Sequence, residues 1–183
     1  MDHILQSFGA ISVAILALGL AIIPVVWPYS IKHTFSQHIS RHRSSTIYYC
    51  LLFTLFLPLF LSFFIGWFIP HFHLPPVLTL CIAFVALAQY ICTFIPETTG
   101  WKRQWHRVLA GGSAFGLIPI VASLLLLPYL SITILVYCSL TLMILLPIAF
   151  LHPYFHKFGE SYIIQAIYYA AFFIPVLITA YLL

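Results

Sequence analysis

Apolar residues run along this chain in six long stretches, roughly 4–27, 46–69, 76–95, 105–127, 130–151 and 161–183. Each reaches the about 20 residues that an α-helix needs to cross a bilayer. A membrane β-barrel would instead show segments of about ten residues that alternate apolar and polar. Runs such as Leu51-Leu52-Phe53 and Leu124-Leu125-Leu126-Leu127 do not alternate. The pattern predicts an all-α polytopic membrane protein, a bundle of six transmembrane helices forming a single domain over residues 1–183.

Composition agrees and narrows the classes. Of 183 residues 63% are hydrophobic and only 5% are charged, against about a quarter charged in soluble domains. Such a chain cannot clothe a water-facing surface, so disorder, nucleic-acid binding and a secreted disulfide scaffold all fall away. Cys50, Cys81, Cys92 and Cys138 lie inside the spans without CxxC spacing and read as small buried hydrophobes. The chain contains no Asn, and therefore no N-glycosylation acceptor.

The few charges matter by position. Lys32, Arg41 and Arg43 fall in the first connection, Lys102, Arg103 and Arg107 around the third, and Lys157 in the fifth; the second and fourth connections carry no Lys or Arg. The positive-inside rule then predicts a multi-pass protein of the cell membrane with both termini extracytoplasmic. Trp27, Trp101 and Trp105 are expected at the inner interface and Trp67 at the outer one. A cleaved signal peptide is disfavoured, because Met1-Asp2-His3 lacks a basic start and the apolar run that follows is long enough to span.

Within the fourth span, Gly112 and Gly116 form a GxxxG pair beside Ser113. Small residues four apart admit a close helix neighbour, here expected from the same bundle, with a homo-oligomer through Gly112 and Gly116 as the alternative. Pro58 and Pro175 near mid-span, and Pro119 and Pro147 off-centre, predict bends, read first as bends that merely let the spans pack, with opened cavities as the alternative.

Ionisable groups at membrane depth are functional suspects. Of the three carboxylates, Asp2 sits at the terminus, while Glu97 closes the third span and Glu160 opens the sixth on the basic side. His106, Gln165, Gln89 and Ser113 lie within a few turns of the same end, with Arg103 and Arg107 nearby. These residues predict a polar pocket at the inner end of the bundle. A histidine with two carboxylates suits zinc or iron, or proton transfer on a lipid head group. For the charged groups themselves the first reading is a set of interfacial ion pairs that lock the bundle end, because all of them lie near water. A bis-histidine haem would need His106 with His152 or His156, and His71 and His73 read as a solvated loop. No phosphate-binding loop, nucleophile elbow or His-Glu-x-x-His helix is present.

Three stretches carry a resemblance: Tyr29-Ser30 through Thr34-Phe35-Ser36-Gln37, Phe94-Ile95-Pro96-Glu97 leading to His106, and Gly159-Glu160. Together they resemble a six-span prokaryotic membrane family of unknown function, distantly similar to the DRAM and Frag-type membrane proteins. The resemblance implies a six-helix bundle, a polar signature at Ser36, Glu97, His106 and Glu160, and, from the eukaryotic relatives, a link to membrane lipids. Ser161 departs from the Arg that commonly follows the family's final Glu, and the eukaryotic relatives have cytoplasmic termini.

The resulting expectation is a protein that binds a membrane lipid or another hydrophobic molecule in a cytoplasmic-side cavity lined by Glu97, His106, Glu160, Gln165, Gln89, Ser113 and Ser36. The alternatives are an intramembrane metal- or haem-dependent enzyme using the same cluster, and a small transporter or channel subunit.

Overall fold

In the computed structural model, residues 2–30, 33–95, 97, 100–128, 131–151 and 162–183 are described, and among them there is helix and no strand. The long helices are α1 (Asp2–Val26), α3 (Arg43–His71), α4 (Val77–Phe94), α5 (Gly100–Leu124), α6 (Ile132–Leu151) and α7 (Tyr162–Leu182). Each is long and apolar enough to span a membrane. The sequence pattern did not resolve α2 (Phe35–Ile39), a short helix between α1 and α3. The protein is a multi-pass bundle of six transmembrane helices.

Consecutive spans pack on one another around the bundle, and α1 meets α7 only sparingly where the ends of the chain come together. Along their middle stretches the spans carry apolar residues on their outer faces too, as contact with lipid requires: Leu18 on α1 is 68% exposed and Leu80 on α4 is 70% exposed. What distinguishes the inner face is fit. On α1 the buried stripe is Gly9, Ser12, Leu16, Gly19, Leu20 and Ile23, spaced three or four apart as one helix face requires. Its glycines are sites of close approach to α3: a Cβ on Gly9 would lie 2.6 Å from a Phe63 ring carbon, and one on Gly19 would lie 2.3 Å from Leu52 Cδ1. Gly112 and Gly116 do the same on α5, facing Phe84 and Val85 of α4 in the same chain.

Helix α3 supplies the aromatic centre, with Phe53, Phe56, Phe60, Phe63 and Phe64 all buried. Phe64–Phe68 forms a π-helical turn, with Phe64, Trp67 and Phe68 buried. Trp67, near the end of this span, is buried within the bundle, stacked on Phe63 and His71. Trp101 and Trp105 are exposed.

Side-chain donors to backbone carbonyls join the spans: Tyr48 to Gly19 at 3.0 Å, Thr141 to Ala171 at 3.1 Å, Gln6 to Ala180 at 2.7 Å, and Tyr168 to Ala114. In these four the accepting residue is Gly or Ala, where no large side chain shields the carbonyl from a neighbouring helix.

Candidate functional site

The connection between α1 and α3 folds back onto the basic end of the bundle. Thr34 caps α2: its hydroxyl oxygen accepts from the Gln37 N–H, while Gln37 Oε1 accepts from the Thr34 N–H, a reciprocal box that fixes the first turn. The Thr34 hydroxyl donates its own proton to Glu97 Oε2 at 3.0 Å. Two residues on, Ser36 Oγ accepts from the Glu97 N–H at 3.0 Å. Glu97 is thus gripped at carboxylate and backbone by one helical turn. Arg107 Nε donates to Glu97 Oε1 at 3.1 Å and Arg103 lies at 3.8 Å. The Glu97 side chain is 2% exposed, and a carboxylate so far removed from water needs this set of donors.

His106 serves the same corner. Its Nδ1 lies 2.7 Å from the carbonyl of Ile95, the residue that ends α4, so Nδ1 carries the proton and satisfies one of the carbonyls a helix end leaves open. Gly100 begins α5 with φ +61°, a left-handed conformation that favours glycine. Glu97 and His106 therefore both fix the turn between α4 and α5.

The other edge of α2 holds α7. The Phe35 N–H donates to Gln165 Oε1 and the Tyr162 N–H to the His33 carbonyl, each at 3.0 Å. The Phe35 and Tyr162 rings meet at 5.6 Å. His38 is buried beside Tyr29 and Tyr162, its Nε2 3.2 Å from the Ser30 carbonyl.

The residues expected to form one pocket thus divide. Ser36 and Glu97 join in the α2 network; His106 meets the end of α4 instead. Gln89, Ser113 and Gln165 converge with Tyr168 and Tyr169 on a separate small cavity of about 90 Å³ between α4, α5, α6 and α7. Glu160, with His152 and His156, lies outside the described residues. Among the described residues, no three His, Cys, Asp or Glu side chains stand together as a metal site.

A larger space was not foreseen. Along the seam between α1 and α7 runs a groove of about 430 Å³, walled by Ala17, Ala21, Ala166 and Ala170 and bounded at its basic end by Phe35 and Tyr162. Its span of α1, Val13 to Pro24, corresponds to about 17 Å at 1.5 Å per residue. At the far end the seam is clasped by the Gln6 bond to the Ala180 carbonyl and by the Tyr181 hydroxyl donating to the Gln6 carbonyl at 2.9 Å. A second, shallower hollow of about 430 Å³ lies between α3 and α4 beside Pro58. No protein-family profile, characterised protein or solved structure matches the chain.

Proposed function

We propose that this protein binds a membrane lipid or similar long-chain hydrophobic molecule, with one hydrocarbon chain lying in the groove between α1 and α7. The observation that carries the reading is the groove itself: elongated, walled almost wholly by apolar atoms, and open on the lipid-facing side of the bundle. Its volume falls within the roughly 300–1,000 Å³ of small-molecule sites. The solvent that bathes it is hydrocarbon, so an acyl chain is the occupant at hand. Loops bearing all the Lys and Arg, read by the positive-inside rule, orient the Phe35–Tyr162 end toward the cytoplasm and the termini outward. The motif resemblance read from the sequence, to a six-span family with lipid-linked relatives, would run the same way.

The test fills the groove. Ala17→Trp combined with Ala170→Trp places two indoles in the space, and lipid retained through purification is counted by native mass spectrometry. Wild type is expected to keep about one tightly held lipid per chain, and the filled variant to lose it while keeping its helical content and elution volume. Equal retention by the two proteins would overturn the proposal.

A further inference from the structure

The small inner cavity has chemistry that the groove lacks. Gln89 projects from α4 into it and its amide makes no hydrogen bond to any described residue, although Gln89 is only partly exposed. Tyr169 borders it from α7, and its hydroxyl likewise has no partner among the described residues. Gln165 commits its Oε1 to the Phe35 N–H, leaving its amide N–H groups available, and Ser113 Oγ donates to the Leu109 carbonyl while keeping lone pairs to accept. Together these polar side chains line one space from α4, α5 and α7. About 90 Å³ is room for a small polar group and a water.

Tyr169 also walls the groove between α1 and α7. It stands between the apolar channel and the polar cavity, about two turns inside the basic end of α7. A chain lying in the groove would therefore run from the level of Tyr169 toward Leu177, away from the basic end, with its head beside the cavity.

We propose that Gln89, Gln165 and Tyr169 recognise the uncharged, hydrogen-bonding head of a single-chain amphiphile, a hydroxyl or carbonyl. This rests on the groove as the site of the tail. Among the described residues, neither cavity is lined by a Lys, Arg, His, Asp or Glu. An ionised carboxylate or phosphate entering the inner space would lose its hydration with no counter-charge among the described lining residues to replace it. A neutral oxygen needs only the donors present. Internal water offers the same hydrogen-bonding chemistry, so the experiment separates the two sources.

Binding of hexadecane, 1-hexadecanol and palmitate, which share one tail, is measured on the full chain in phosphatidylcholine nanodiscs. Each is scored by competition against a tail-anchored fluorescent probe at matched mole fraction in the bilayer. Wild type is expected to prefer 1-hexadecanol to hexadecane about tenfold and to show no such preference for palmitate at neutral pH. Gln89→Leu, at a residue that does not line the groove, should reduce the alcohol preference several-fold with hexadecane binding unchanged as evidence that the groove persists, and Tyr169→Phe should reduce the same preference. Equal binding of all three probes by wild type would leave the cavity to water and overturn the inference while sparing the groove. Palmitate binding above 1-hexadecanol would also overturn it. No competition by any probe would overturn the groove reading, and this inference with it.

Discussion

Glu97→Ala is the most informative single change at the basic end of the bundle. Without the carboxylate, the Thr34 hydroxyl still accepts from Gln37 but has nowhere to send its own proton, and Thr34 is 3% exposed. A buried donor left unsatisfied costs about 1–3 kcal/mol. The bond from Arg107 is charge-assisted, but the Arg107 side chain is 24% exposed and has further interactions, so its loss is discounted to about 1 kcal/mol. Arg103, at 3.8 Å and 47% exposed, behaves as a surface pair and adds little. The expected destabilisation is about 2–4 kcal/mol. Glu97→Gln keeps one oxygen acceptor and the shape, and is expected to cost about half as much. A cycle of Thr34→Val, Glu97→Ala and the double variant should give a coupling of at least about 0.5 kcal/mol, as contacting residues do. Unfolding in mixed detergent micelles measures the free energies, and hydrogen exchange of the Phe35–Ile39 amides reads the local effect. A Glu97→Ala variant within about 0.5 kcal/mol of wild type, with α2 protection unchanged, would refute the assignment of Glu97 as the anchor of α2.

Glycines on α1 and α5 should respond by environment. Gly19→Ala brings a methyl to 2.3 Å from Leu52 Cδ1 and is expected to cost about 1–3 kcal/mol as an overpacked contact, whereas Gly111→Ala meets nothing within 4 Å and should be neutral or stabilising by up to about 1 kcal/mol; melting curves of the purified variants decide. Gly100→Ala, at φ +61° in open space, should lower stability by about 1–2 kcal/mol from backbone strain alone. Orientation is checked by cysteine labelling: a membrane-impermeant maleimide applied to intact cells should modify His73→Cys and spare Ser44→Cys, and the reverse pattern would invert the topology.

The six spans were legible because lipid asks only for length and hydrophobicity, which each stretch shows locally. The hook at the basic end was half legible. Thr34-x-x-Gln37 is a capping box in plain sequence, but the acceptor for the Thr34 hydroxyl is 63 residues away, and no local period marks Glu97 as that partner. Proximity to one end of the bundle grouped Glu97 with His106, Gln89, Ser113 and Gln165. Depth alone does not give the rotation of each helix, and rotation sends Gln89, Ser113 and Gln165 to one cavity, His106 to the end of α4 and Glu97 to α2.

The groove was hidden for a different reason, since it consists of side-chain volume that is missing. Ala17 and Ala21 on α1 and Ala166 and Ala170 on α7 are pairs four apart, a spacing that on its own predicts close helix contact. The structure gives a gap at those positions, so something holds the helices apart. Phe35 lies at the basic end of the seam against Tyr162, its backbone fixed to Gln165 and its helix fixed to Glu97. If this ring is the wedge, Phe35→Ala should let the alanine faces close. In antiparallel helices, Ala21 and Ala166 stand at one level near that end, so Ala21→Cys with Ala166→Cys reports closure by oxidation to a disulfide, which requires Cα atoms within about 7 Å. The paired cysteines should cross-link faster by an order of magnitude or more when Phe35→Ala is added, and lipid retention should fall in the same variant. An unchanged rate would show that the clasp at Gln6, or packing elsewhere along α7, sets the width of the seam instead of Phe35.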